Sequence, residues 1–215
     1  MNEQVIQYIE KIVKERPPLL AEMEQYAEVH NVPIMELVGM EALLGMLRIQ
    51  QPKKILEIGT AIGYSALRMA DALPDTRIVT LERDEERYEA AQAFLTRSDD
   101  GERVTPLFGD ALELSQKVAE FGPFDAIFID AAKGQYLKFF ELYAEMLSDD
   151  GVVYSDNVLF KGLVAEEEVE QKRIRNMVKK LQNYNVWLMN HEDFDTSILP
   201  VGDGIAISKK RGEQS

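Results

Sequence analysis

Asp130, Lys133, Asp156 and Asn157 are the residues of this sequence best placed to do chemistry together. Asp130 directly follows the apolar run Ala126-Ile127-Phe128-Ile129, and Asp156 and Asn157 follow a second strand-like run at 151–155. In an open α/β sheet, ligands bind along the carboxyl edge of the strands, where all three of these residues would lie. Two carboxylates and an amide oxygen make an all-oxygen set suited to a hard divalent ion such as Mg²⁺, with waters or substrate completing an octahedron. An Asp-Asn pair after a strand is also what an ordinary turn looks like, and Asp130 at the matching edge is what favours a metal. Lys133 lies three residues past Asp130. At a helix start a lysine is commonly a solvated charge, but beside a divalent cation a lysine loses its proton more readily and becomes a general base.

A second constellation lies upstream, in Lys54-Ile55-Leu56-Glu57-Ile58-Gly59-Thr60-Ala61-Ile62-Gly63-Tyr64-Ser65. It reads as a strand, a glycine turn and a helix N-terminus, which presents backbone N–H groups to a ligand. Glycines at 59 and 63 let a ligand approach the main chain, although the same spacing occurs in plain βα turns. Glu57 is an acid inside an apolar strand end. Glu82 ends the next strand, where a ribose hydroxyl pair would be held. The dinucleotide fingerprint G-x-G-x-x-G is absent, because Thr60 and Ala61 stand where its second glycine would be. A nucleoside without a pyrophosphate fits better than NAD.

The elements that must position these groups follow from periodicity. Apolar residues at helical spacing predict three helices near 3–16, 19–30 and 35–49, forming an N-terminal extension over residues 1–50. From Lys54, strands at 54–58, 77–82, 103–108, 124–129 and 151–155 alternate with helices near 64–73, 84–97, 110–120 and 134–147. Asp110 reads as an N-cap with Glu113 at N3. A helix at about 166–184 would carry three glutamates near its start and Lys172, Arg173, Arg175, Lys179 and Lys180 later, in keeping with its dipole. Strands near 194–200 and 205–209 are joined by four residues, too few for a parallel crossover, so this pair must be antiparallel. The expectation is an α/β fold: one unit over 1–215, with a doubly wound core at 53–210 ending in an antiparallel hairpin.

Composition narrows the function. The 215 residues include no cysteine and only two histidines, which excludes thiolate sites and leaves little for a histidine-built zinc centre. No long apolar run or signal peptide is apparent, so a soluble cytoplasmic protein with no membrane partner is expected. A net charge of −14 disfavours indiscriminate binding to nucleic acid but permits a local basic surface.

Taken together, Glu57-Ile-Gly59-Thr-Ala-Ile-Gly63-Tyr-Ser65, Glu82, Gly109-Asp110-Ala111, Ile129-Asp130-Ala-Ala-Lys133 and Asp156-Asn157-Val-Leu159 carry a resemblance. From about Val32 to Lys210 the chain resembles the metal-dependent O-methyltransferases of catechol and caffeoyl-coenzyme A type, which use S-adenosylmethionine. It is similar in particular to bacterial enzymes that methylate 5-hydroxyuridine at the tRNA wobble position. The resemblance implies a seven-stranded, Rossmann-like class I methyltransferase fold. It implies that Val38, Glu57, Gly59, Thr60 and Ser65 hold the methionine part and core of S-adenosylmethionine, that Glu82 takes the ribose and that Asp110 and Ala111 meet the adenine. It further implies that Asp130, Asp156 and Asn157 ligate Mg²⁺, with Asp130 also near the cofactor, and that Lys133 is the base. A homodimer and an encounter with the tRNA anticodon loop are implied as well, the latter through Lys133, Lys138, Lys161, the 172–180 cluster and Lys209-Lys210-Arg211. Two rival readings stand beside it: a small-molecule catechol-type methyltransferase with the same site, and a non-catalytic nucleoside-binding module, which would need neither the metal set nor Lys133.

Overall fold

Successive residues of a strand point to opposite faces, and in strand β1 (Lys54–Ile58) Ile55 and Leu56 are both fully buried. A strand covered on both faces has no need of polar alternation, which is why such runs are continuously apolar. The structure, a computed structural model, describes residues 3–212; residues 1–2 and 213–215 of the expected unit lie outside the described residues. β1 joins β2 (Arg77–Glu82), β3 (Val104–Phe108), β4 (Phe124–Ile129), β5 (Leu147–Ser155), β6 (Phe194–Leu199) and β7 (Ile205–Lys210) in one sheet of order β3-β2-β1-β4-β5-β7-β6. β1 to β5 pair in parallel, and β7 lies antiparallel between β5 and β6. This is the expected doubly wound, Rossmann-like sheet with a terminal antiparallel hairpin, the hairpin's second strand being the one that meets β5.

Helices cover both faces. On one side α2 (Pro18–His30), α3 (Leu37–Gln50), α4 (Tyr64–Ala72) and α5 (Glu85–Thr96) pack against Ile55, Ile78, Ala126, Phe128 and Tyr154. On the other, α6 (Ser115–Ala119), α7 (Tyr136–Ala144) and α8 (Lys172–Met189) pack against Leu56, Ile58, Val79, Ile127 and Ile129. The first helix, α1 (Glu3–Ile12), has no buried residue. Arg68 of α4, which is buried, binds Glu41 of α3 and the Tyr64 hydroxyl, while Tyr64 donates to Glu24 of α2 at 2.6 Å. The helical extension is thereby tied to the helix that follows the glycine turn.

The expected first helix, 3–16, ends at Ile12, and three further expected helices have different limits. The span 110–120 is helical only at Ser115–Ala119, because the Asp110 carboxylate accepts from Leu112 N (2.9 Å) and its carbonyl from Glu113 N and Leu114 N, closing a turn instead. The span 134–147 begins with a 3₁₀ turn at Lys133–Gln135 and ends at Ala144, since Leu147 already pairs with Phe124 at the start of β5. The span 166–184 is replaced by Lys172–Met189. Its buried stripe, Val178, Leu181, Tyr184 and Leu188, leaves nothing to anchor residues 166–170, so the glutamates fall outside the helix.

Candidate active site

Register sets the strand ends side by side. Ile58 pairs with Ile129 and Ile129 with Ser155, after which Asp130 N donates to Ile58 O and Asp156 N to Ile129 O, both at 3.0 Å. Gly59, Asp130 and Asp156 therefore stand in a row at the carboxyl edge, where the strand order reverses between β1 and β4. They open onto a cavity of about 570 Å³, lined also by Thr60, Ser65, Glu82, Asp110, Ala111, Lys133 and Asn157. That volume lies within the ~300–1,000 Å³ usual for small-molecule sites.

Two of the singled-out residues do not line this cavity. Val38 is buried in the first turn of α3, two residues after Glu36, which does line it. Glu57 lies wholly inside the fold, accepting from Ser65 Oγ and Thr80 Oγ1, each at 2.5 Å, with Thr80 Oγ1 a further 2.6 Å from Thr60 Oγ1. Burial pushes its carboxyl up to about 8, against the pull of those two hydroxyls. Glu57 thus holds Ser65 and the Thr60–Thr80 pair from beneath.

The glycine turn has two sources of constraint. Gly59 has φ +109°, and a Cβ there would lie 1.9 Å from the carbonyl oxygen of Asp130, so the fold itself demands glycine. Gly63, at φ +83°, caps α4 in the left-handed region, which favours glycine. Glu82 ties this turn to its own strand: Oε2 accepts from Ala61 N (2.8 Å), and Oε1 from Arg83 N and Asp84 N (2.9 Å each). Asp110 stands 3.6 Å from Arg83, and the carbonyl of Ala111 is held by the Tyr143 hydroxyl at 2.5 Å.

At the other end of the cavity, Asp130 and Asp156 are adjacent, and loss of solvent raises the pKa of both above the usual carboxylate range. Lys133 opposes this at Asp130, while the charge of Asp130 adds to it at Asp156. Two desolvated carboxylates of like charge are stable as anions only if a cation neutralises them. The Lys133 ammonium donates to Asn157 Oδ1 at 2.6 Å and stands 5.9 Å from the Phe160 ring centroid. Asn157 itself takes φ +56°, a conformation that asparagine tolerates better than most residues. No cluster of three or more His, Cys, Asp or Glu suited to a metal occurs among the described residues. The oxygen set here is two carboxylates and one amide, and its chemistry fits a hard divalent ion that draws its remaining ligands from water or substrate.

Sequence reasoning did not find the opposite wall. Pro33, Ile34, Met35 and Glu36, between α2 and α3, line the cavity together with Asp203 of the β6–β7 turn and Phe160. The backbone of that turn accepts Val158 N and Leu159 N (3.0 and 2.9 Å), pinning the loop after Asn157. Of the cations considered for nucleic acid, Lys180 Nζ lies against Gly134 beside Lys133, 3.1 Å from where a Cβ would stand. Lys209 and Arg211 instead pair with Asp150 and Asp195 at the far end of β7, away from the cavity.

The profile of the O-methyltransferase family matches residues 10–211. A catechol O-methyltransferase of Niastella koreensis is 30% identical over 222 residues, spanning 97% of this chain and 99% of its own length. A solved structure from Staphylococcus aureus, provisionally named a caffeoyl-CoA O-methyltransferase, is 36% identical with a TM-score of 0.91, over 97% of this chain and 100% of that one. The SAH-bound methyltransferase PaMTH1 of Podospora anserina superposes with a TM-score of 0.86 at 27% identity, over 98% and 97% of the two chains. With the strand order, the carboxyl-edge cavity and a match over nearly its whole length, the chain belongs to the O-methyltransferase family of caffeoyl-CoA and catechol type.

Proposed function

We propose that this protein transfers a methyl group from S-adenosylmethionine to one of two neighbouring oxygens on its acceptor, with Mg²⁺ or a similar ion held by Asp130, Asp156 and Asn157. The observation that carries this reading is the meeting of two desolvated carboxylates, an amide oxygen and Lys133 in one cavity with the glycine turn and Glu82. The SAH bound in the Podospora relative supports the cofactor. The methionine carboxylate suits the positive N-terminus of α4, and a ribose hydroxyl suits the one lone-pair site that three backbone hydrogen bonds leave free on the Glu82 carboxylate, at Oε2. Asp110 and Ala111, next along the edge, would border the adenine. Glu57 supports this floor through Ser65. A bound divalent ion supplies a Lewis acid that lowers the pKa of an acceptor hydroxyl. Lys133, whose Nζ lies 2.6 Å from Asn157 Oδ1, would take that hydroxyl's proton as the neutral amine, its own ammonium proton having first passed to solvent. Alignment of acceptor and methyl donor in one enclosed space supplies much of the remaining acceleration.

Two acceptor classes present adjacent oxygens. The relatives' names favour a small catechol-type acceptor. A different observation favours tRNA bearing 5-hydroxyuridine, whose 5-hydroxyl adjoins a carbonyl. Lys172, Arg173 and Arg175 stand exposed in the first turns of α8, at the positive end of its dipole, where cations are unfavourable unless an anion meets them. Lys180 extends this basic face to Gly134, which lies between the cavity-lining Lys133 and Gln135. Phosphate contacts of this kind position a nucleic acid, and an unpaired wobble base can be turned into a pocket. Incubating the protein with S-adenosylmethionine, Mg²⁺ and either a catechol or 5-hydroxyuridine-containing tRNA, followed by mass spectrometry of the products, separates the two. Methylated tRNA nucleoside supports the second reading. Efficient methylation of the catechol with unmodified tRNA supports the first, and no methylation of either removes the proposed reaction.

A further inference from the structure

Asp156 and Asn157, the oxygen donors that follow β5, lie between two residues that α8 holds. Immediately before them, Ser155 Oγ is 2.8 Å from the Tyr184 hydroxyl, and both residues are buried. Immediately after them, the Asn185 side-chain amide donates to the Val158 carbonyl at 2.9 Å. Tyr184 and Asn185 are consecutive residues of α8, so one point of that helix grips the chain on either side of the Asp156-Asn157 pair. The N–H of Val158 donates to the Gly204 carbonyl at 3.0 Å, which occupies both main-chain polar groups of Val158. A carbonyl can only accept, so the Asn185 atom facing Val158 is the amide nitrogen, and Oδ1 is left buried without a partner among the described residues. A buried acceptor in that state is disfavoured, and leucine would fill similar space without one. Asparagine at 185 is therefore explained by what its nitrogen holds. The segment it holds includes Asn157 at φ +56°, a left-handed conformation that persists only where the surroundings fix it. The Tyr184 ring is itself set edge-on to Tyr136 and stacked on Trp187, with centroids 5.6 and 6.1 Å away, so its hydroxyl has a fixed place.

We propose that Tyr184 and Asn185 are positioning residues of the divalent-ion site, a two-point clamp that sets Asp156 and Asn157 in the geometry the ion requires. This rests on the ion site of the proposed function and extends it to two residues outside the ligand set. Groups behind the ligands of a metal orient them, and losing such a group weakens metal binding by about 10-fold or more. Gln182, on the same turn of α8, donates to the Val164 carbonyl at 2.9 Å, farther along the loop, and supplies a control. The test titrates Mn²⁺ into wild-type protein, Tyr184→Phe, Asn185→Leu and Gln182→Leu, reading affinity by calorimetry and by the electron paramagnetic resonance of free Mn²⁺. The expected result is about 10-fold weaker Mn²⁺ binding in Y184F and in N185L, wild-type Mn²⁺ affinity in Q182L, and equal S-adenosylmethionine affinity in all four proteins. Wild-type Mn²⁺ affinity in either Y184F or N185L would overturn the clamp while leaving the ion site standing. The same loss in Q182L, or a parallel loss of S-adenosylmethionine binding, would make the effect one of general loop or fold stability and would overturn the clamp as well. A wild-type protein that binds no Mn²⁺ would overturn the ion site, and this inference with it.

Discussion

Glu82 already accepts three backbone N–H groups, so it serves the fold and the proposed ribose contact with the same carboxylate. Glu82→Ala is therefore expected to weaken S-adenosylmethionine binding by roughly one to two orders of magnitude, at about 1.5–3 kcal/mol for charge-assisted bonds and 1.4 kcal/mol per decade. Calorimetry that finds cofactor affinity unchanged would reject the ribose assignment. Glu57 makes a pH prediction. Its folded-state pKa of about 8 lies above the ordinary 4.5, so between those values the folded protein keeps a proton that the unfolded chain has released. Stability from this group is full below the lower value and is lost as pH rises toward the upper one. In ligand-free protein, Tm should fall from pH 5 to pH 8 more steeply in wild type than in Glu57→Gln, with each kcal/mol worth about 2–4 °C for a chain of this size. Parallel Tm–pH curves for the two proteins would contradict a buried, titrating Glu57.

At the scale of elements, the strands were the most legible part of the sequence. Runs such as Ala126-Ile127-Phe128-Ile129 are apolar at every position because helices cover both faces of β4, and the residue ending each run falls at the carboxyl edge. Asp130, Asp156 and Glu82 could be placed for that reason alone. The start of α8 was not legible, because glutamates ahead of lysines imitate a helix matched to its dipole, whereas the helix begins where its buried stripe begins. That shift leaves Lys172, Arg173 and Arg175 at the unfavourable end of α8. Replacing the three with glutamine is expected to reduce methylation of 5-hydroxyuridine-containing tRNA and to flatten its salt dependence, by about 0.7–0.9 in log–log slope for each phosphate that is no longer neutralised. Cofactor binding should not change. If tRNA methylation and its salt slope are also unaffected, these cations do not meet phosphate.

For the molecule as a whole, the sequence marked one side of the cavity and not the other. Glu82 ends its strand and Gly59, Asp130 and Asp156 each directly follow one, but Pro33–Glu36 and Asp203 reach the site through tertiary packing, and no local pattern records that. No described helix is long and apolar enough to cross a membrane. Helix α1 turns Val5, Tyr8 and Ile12 to solvent, and we propose this face as the contact of a homodimer. Light scattering after chromatography should show a dimer in wild type and a monomer when all three are changed to serine. A dimer in both would place the contact elsewhere. Dependence on a divalent ion tests the proposed chemistry most directly. Protein stripped with EDTA should transfer no methyl group from S-adenosylmethionine to a catechol or to 5-hydroxyuridine-containing tRNA, and added Mg²⁺ should restore transfer to whichever is the acceptor. Asp156→Ala should remain inactive with Mg²⁺ while binding S-adenosylmethionine like wild type. Full methyl transfer by metal-free wild-type protein would contradict the assignment of Asp130, Asp156 and Asn157 as its ligands.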